Sequence, residues 1–281
     1  MPFIHANGIE IYYEESGSGE PVVLVHGSWS DHHNWALVAP ELARNHRVVT
    51  YDRRGHSQTE RPVDVRSRRQ DEDDLGALIE QIDCVPAHLV GTSFGGATVL
   101  GLASRRPELV RSVSVHEPPL ISLVAEDESL APLVQQTGAS LVRVVSQLQK
   151  GDVEGGARRF MEEVALGPGG WELLPESLRE TAVANAPAFL GEAMDPEGFV
   201  IDPEALQELP FALQLTQGTD SPEWLRSIVA ELAQIADDAT VHTFIGAGHA
   251  PHLTSPADFV TVVSDFIAQS ARSSVVIGAG V

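Results

Sequence analysis

The chain has 281 residues, 43% of them hydrophobic, with 40 acidic side chains against 18 basic ones and a formal net charge of −22. That length holds one large α/β domain or two small ones, and the apolar fraction is enough for a sizeable core, which excludes disorder as the default state. A chain this acidic repels phosphates and anionic lipid, so neither nucleic acid nor a membrane surface is an expected partner. No apolar run has membrane-spanning length, and the opening MPFIHANGIE lacks the basic and apolar regions of a secretory signal. The single cysteine, Cys84, has no partner for an intrachain disulfide. The expectation is a cytoplasmic protein in which Cys84 is a small core residue.

In chain order, Asn7-Gly8 separates two β-rich stretches and supplies the turn of an opening hairpin. PVVLVHG from Pro21 is a continuous apolar run, the pattern of a strand buried on both faces. A helix is expected over residues 34–44, then a strand in HRVVTYD and a helix in DEDDLGALIEQI. The basic run Arg66, Arg68, Arg69 followed by Asp71, Glu72, Asp73 and Asp74 reads as a solvated helix start. PAHLVGTS is a strand, FGGATVLGLASRRP a helix and VRSVSVHEPP a strand, and this alternation is that of a parallel sheet with right-handed crossovers. Between about Pro118 and Leu209 the alternation stops and helical stretches joined by Gly/Pro-rich turns take over. It resumes with FALQLTQG, a helix capped by Ser221 with Pro222 in its first turn, TVHTFIG, and a last helix from Pro256. The closing SSVVIGAGV reads as a loose tail. The reading is therefore an α/β core over residues 1–117 and 210–281 with a helical insertion over residues 118–209.

Gly91-Thr-Ser93-Phe-Gly95 falls between a strand and a helix, and that context makes Ser93 the candidate nucleophile. A serine hydroxyl needs a base. His249, in the glycine-rich loop IGAGHAPH after the last strand, is the candidate, with His252 beside it read as a packing or capping residue. Asp220, in the loop after FALQLTQG, is the expected orienting acid; Glu117, at the end of VRSVSVHE, competes for the same imidazole. The oxyanion formed in acyl transfer requires two N–H donors. Phe94 and Ser28 are the candidates, with Trp29 as a pocket wall and His26 as a brace for its loop.

With these residues in place, the sequence resembles the α/β-hydrolase superfamily over nearly its whole length. His26-Gly27 resembles the oxyanion loop, Asp52-Arg-Arg-Gly-His-Ser57 the D-x-R-G-H motif, Gly91 to Gly96 the nucleophile elbow and Gly248-His249 the histidine loop. The resemblance implies an α/β-hydrolase fold: a mostly parallel eight-stranded sheet flanked by helices, with residues 118–209 as a helical lid. It also implies that Asp52 and Arg53 are structural residues beside the entrance. Two departures stand out. HGSW lacks the proline that many relatives carry at its fourth position, and Asp220 follows Gly218 by two residues where relatives often place the acid at three.

The expected activity is cofactor-free serine hydrolysis of an ester of a small, uncharged or apolar substrate, without metal, by a monomer or homodimer. Trp29, Trp35, Phe160, Met161 and Trp171, with Phe189 and Phe199, are the candidate pocket residues. Hydrolysis of a carbon–carbon bond, amide or lactone, and perhydrolysis, are the alternatives on the same residues; a ligand-binding scaffold is the non-enzymatic one.

Overall fold

A computed structural model describes residues 2–62 and 67–278, with side chains through 271; Arg66 of the basic run lies outside the described residues. Its strands are β1 (Phe3–Ala6), β2 (Ile9–Gly17), β3 (Pro21–Val25), β4 (Arg47–Tyr51), β5 (Ala87–Thr92), β6 (Val110–His116), β7 (Ala212–Gly218) and β8 (Thr240–Phe244). They form one sheet in the order β1-β2-β4-β3-β5-β6-β7-β8. β1 and β2 pair antiparallel, β2 pairs antiparallel with β4, and every pair from β4 to β8 is parallel. The hairpin turns at Asn7 and Gly8, both at positive φ as its tight turn demands.

Eleven α-helices are described: α1 (Ala39–Leu42), α2 (Arg68–Gln81), α3 (Phe94–Arg105), α4 (Ala131–Gln149), α5 (Val153–Phe160), α6 (Gly170–Leu173), α7 (Glu176–Ala184), α8 (Ala186–Met194), α9 (Glu223–Ile235), α10 (Pro251–Thr254) and α11 (Pro256–Gly278). The apolar runs of the central strands divide by parity, as a two-residue period requires. Val23, Val25 and Leu89 face a core filled by Leu75, Leu78, Val99, Leu225 and Ile228 from α2, α3 and α9. Val22, Leu24 and Val90 face the other side, with Trp35, Leu42, Phe259 and Val263. Each fully buried aliphatic side chain contributes roughly 1.5–3 kcal/mol, so both faces stabilise the sheet. Cys84 is fully buried in the first of these cores.

The helix expected over residues 34–44 is broken into a 3₁₀ turn, His32–Trp35, and the single turn of α1. Pro40 accounts for the break, because it lacks an N–H and its ring clashes with the carbonyl four residues back. α2 starts at Arg68 behind a capping box made by Ser67 and Gln70. Of its four N-terminal acids only Asp73 is exposed; Asp71, Glu72 and Asp74 are buried and pair with Arg53, Arg68 with Arg105, and Arg54 respectively. Burial pushes the Glu72 carboxyl up to about 7 despite its arginines. α9 begins after Pro222 with no side-chain cap, and the buried Ser221 hydroxyl takes no part. The end read as a loose tail continues α11 to Gly278, and residues 279–281 lie outside the described residues.

Between β6 and β7 the chain builds α4 to α8 with short turns, including a π-helical turn at Met161–Ala165. Trp29 of the core packs with Val144, Trp171, Ala182 and Phe189 of this insertion, stacking on Phe189 at 4.3 Å between ring centroids. Among the described residues, no helix is long and apolar enough to cross a membrane.

At the β5–α3 junction, Ser93 has φ 53° and ψ −129°, a strained conformation for a residue with a side chain. Strand and helix converge so closely there that a Cβ on Gly95 would lie 2.3 Å from the carbonyl oxygens of Val25 and His26. Gly95→Ala is expected to destabilise the fold by at least about 2 kcal/mol, through overpacking against backbone that has no room to yield. Urea unfolding checks this; an unchanged midpoint would contradict the contact.

Candidate active site

Three strands of the parallel half of the sheet deliver the site. Ser93 follows β5, Glu117 follows β6, and His249 lies in the loop after β8, all at the carboxyl edge of the parallel sheet. The Ser93 N–H donates to the His116 carbonyl at 2.9 Å and the Glu117 N–H to the Thr216 carbonyl at 3.2 Å, which ties the ends of β5, β6 and β7 together. Ser93 and His249 line the same cavity with Ser28.

The carboxylate on the imidazole belongs to Glu117. His249 Nδ1 donates to Glu117 Oε2 at 2.6 Å, and the Gly218 N–H donates to Glu117 Oε1 at 2.8 Å. Asp220, the acid expected from the sequence, is exposed and accepts from its neighbour Thr219 at 2.9 Å. The reason is topological. β6 lies between β5 and β7, so its end abuts the serine turn, whereas the Asp220 loop runs outward past Ala247, whose carbonyl accepts the Asp220 N–H. The short spacing after Gly218 was the signal for this.

Burial alone would push the Glu117 carboxyl up, but His116 and His249 more than offset it and hold the group below the ordinary carboxylate range. Because an ionised carboxylate only accepts, His249 carries its proton on Nδ1 and presents Nε2 as the basic nitrogen. Glu117 is itself at φ 45°, a second strained residue at the site.

The loop after β3 is braced from below. Fully buried His26 donates from Nδ1 to the Gly27 carbonyl at 2.8 Å and accepts the Arg53 N–H on Nε2 at 3.0 Å, so its partners fix one neutral tautomer. The Arg53 side chain, also fully buried, donates to His26 O, Gly27 O, Asp71 and Glu192. Burial works against this cation, and Glu192 and Asp71 more than offset it, holding its pKa above the ordinary value. Asp52 accepts from the His32 N–H, His32 Nδ1 and the Gln58 N–H. Phe94 opens α3, where its N–H has no intrahelical carbonyl within reach.

Of the pocket residues expected from the sequence, Trp29, Phe160 and Met161 line a cavity of about 90 Å³ beside Ser93, and Phe160, Phe189 and Phe199 line a smaller one of about 30 Å³ that also borders Ser93. Trp35 and Trp171 do not. Trp35 is packed against Phe259 and His252 in the core beneath the sheet, because its 3₁₀ turn faces that layer. Trp171 is buried within the insertion and borders a separate groove with Arg158 and Arg179. Leu174, Leu178 and Ala182, which the sequence reading passed over, complete the wall at four-residue spacing. A wider cleft of about 430 Å³ leads from His249 past Leu178 to the exposed Leu37 and Leu173, with Asp220 at its edge.

Among the described residues, two groups have ligand-type atoms close enough to share an ion: His116, Glu117 and His249, and Asp31, His32 and His33. In the first, Glu117 is already engaged by His249; in the second, Asp31 accepts from Ser57 and His33, and His32 is held by Asp52.

His252 and His116 are buried, and desolvation lowers the pKa of both, that of His252 to about 3. Both therefore fold as neutral rings, while the unfolded chain takes up protons near pH 6.5. Stability is full above that pH and falls as the pH drops from 6.5 towards 4, by up to about 1.4 kcal/mol per pH unit for each proton. Urea unfolding between pH 7 and 5 should show this slope, and His252→Gln should flatten it; an equal slope in the variant would contradict the assignment.

Residues 22–262 match the family model described as the alpha/beta hydrolase family. The chain is similar to 2-hydroxymuconate semialdehyde hydrolase of Pseudomonas sp. (strain CF600), at 27% identity over 97% of this chain and 95% of that one. Among solved structures it is similar to a thermophilic esterase from Thermogutta terrifontis (TM-score 0.76, 20% identity, 95% and 98% of the two chains) and to a bromoperoxidase from Bacillus anthracis (TM-score 0.76, 21% identity, 92% and 96%). With the sheet order, the strained serine turn and the histidine loop in place, these likenesses establish that the chain belongs to the alpha/beta hydrolase family.

Proposed function

We propose that the protein is a serine hydrolase acting on neutral, largely apolar carboxylic esters through an acyl-enzyme. The observation that carries this is the 2.6 Å hydrogen bond from His249 to Glu117 beside a serine held at a strand–helix turn. In this reading Ser93 attacks the ester carbon as its hydroxyl proton passes to His249 Nε2, and Glu117 stabilises the imidazolium. The carbonyl oxygen becomes an oxyanion between the N–H groups of Phe94 and Ser28. Collapse expels the alcohol, which takes the proton from His249. Water, deprotonated by the same nitrogen, then releases the acid and restores the serine. The helical insertion acts as the lid that encloses the acyl group.

The neutral-substrate assignment rests on charge. The cavities that share His249 are lined by no lysine or arginine among the described residues, and their single acidic residue is Asp220. A substrate carboxylate would lose its hydration there with no cation to receive it, within a molecule of net charge −22. The Pseudomonas relative is named for a muconate semialdehyde, an acid; this site favours an uncharged ester over that class.

Ser93→Ala should abolish labelling by a fluorophosphonate, and Glu117→Gln should lower kcat by about 10³–10⁴-fold, while Asp220→Asn stays near wild type. Labelling of Ser93→Ala, or the opposite ranking of the two acids, would defeat the mechanism. Against matched substrates, kcat/KM for a neutral alkyl ester should exceed that for its ω-carboxylate analogue by at least about tenfold, the effect of burying one unpaired charge. Equal rates would remove the charge argument.

A further inference from the structure

We propose that Arg53 is a positioning residue for both oxyanion donors, and that Glu192 makes its hold depend on the seating of the helical insertion. The proposal rests on the serine-hydrolase reading above. It begins with one peptide unit. The Gly27 carbonyl accepts from Arg53 Nη2 at 3.1 Å and from His26 Nδ1 at 2.8 Å. In a trans peptide the carbonyl and the following N–H point in opposite directions. Fixing the Gly27 oxygen on the Arg53 side therefore turns the Ser28 N–H away from Arg53, towards the cavity that Ser28 shares with Ser93.

The second donor is reached by the same group. The Arg53 guanidinium carbon lies 5.1 Å from the centroid of the Phe94 ring, over the residue whose N–H opens α3. One buried cation thus touches the Gly27–Ser28 peptide that carries one donor and the ring of the residue that carries the other. Its Nε donates to His26 O at 3.0 Å and Nη1 to Asp71 at 2.7 Å, which fixes the plane of the fork.

The coupling to the insertion lies in a single nitrogen. Nη2 donates to Glu192 Oε1 at 2.6 Å as well as to Gly27 O. Glu192 is on α8, 139 residues from Arg53 in the chain, and is buried, so the pair forms only when α8 is seated on the core. An unseated α8 leaves Nη2 with half its partners and the guanidinium with one carboxylate fewer, so the fork shifts towards Asp71 and strains its longest bond, the 3.1 Å one to Gly27 O. The donors are then assembled when the lid is closed.

The test uses the full chain with Glu192→Leu, Glu192→Gln and Arg53→Lys. Active sites are counted by end-point phosphonate labelling, so misfolded protein does not enter the rates. For a neutral p-nitrophenyl ester, Glu192→Leu and Arg53→Lys should lose roughly 10–100-fold in kcat per active site, with KM within about twofold, because a donor displaced by a fraction of an ångström fails the transition state and not the ground state. Affinity for an alkylboronic acid, which becomes tetrahedral on Ser93, should fall in the same proportion, while affinity for the product alcohol is unchanged. Glu192→Gln, which keeps a hydrogen-bonding oxygen, should recover most of the loss. A lower melting temperature with unchanged kcat per labelled site and unchanged boronate affinity would mean a structural role only and overturn the proposal. If Glu192→Leu does not fold, the same two readouts on Arg53→Lys decide it, since lysine keeps the charge but cannot hold Gly27 and Glu192 together. A wild-type protein that neither labels nor turns over would instead defeat the serine-hydrolase reading itself.

Discussion

Everything at the site depends on the backbone hydrogen bond from Ser93 to the carbonyl of His116, which binds the end of β5 to the end of β6. Parallel strands expose their carboxyl ends on one rim, and loops leaving that rim are free to carry function while the sheet stays rigid. Here the registry goes further. The next residue after His116 is Glu117, whose own N–H and carboxylate are both tied to β7, through Thr216 and Gly218. The acid therefore sits between two strands buried on both faces, and the imidazole is brought to it by a glycine-rich loop. Precision comes from the sheet, and reach comes from the loop.

Two forces meet at this rim. The hydrophobic packing of the insertion against Trp29 is non-directional and holds α8 near the core. The Arg53–Glu192 ion pair beneath it is directional and anchors α8 at one point of the core. Asn185, at the start of α8, adds to this: its amide donates to Ser30 O at 2.9 Å and accepts the Ser57 N–H at 2.8 Å. The polar contacts between core and insertion thus fall on the loops that follow β3 and β4 and on the start of α2, where the Arg68 N–H donates to Asp195 at 2.7 Å.

Much of this was legible in the residues. Alternating strand and helix patterns, the Asn7-Gly8 turn, the serine turn and the histidine loop follow from local spacing, and local spacing survives folding when the core is built from strands buried by parity. Three kinds of feature were not legible. Asp220 and Glu117 both end strands at the same rim; the short spacing after Gly218 hinted at Glu117, but the sheet order, in which β6 separates β5 from β7, decides between them. Trp35 and Trp171 have the composition of pocket walls, but the direction of a side chain on a short turn depends on what it packs against. The acids of α2 look like an ordinary solvated helix start until the arginines of the loop after β4 and of α3 fold over them. In each case the missing information was a contact between segments distant in sequence.

The absence of lysine and arginine from the cavity walls, among the described residues, also bears on how a turnover ends. In the proposed reaction a neutral molecule enters and an ionised acid forms, so the product differs from the substrate by a full negative charge. The cleft that leads outward is largely apolar and carries Asp220 at its edge, in a molecule of formal net charge −22. The carboxylate is thus expelled by the same field that was indifferent to the ester, and its re-entry is opposed at every step. Such a site clears itself, and accumulated acid competes poorly with fresh ester for the serine.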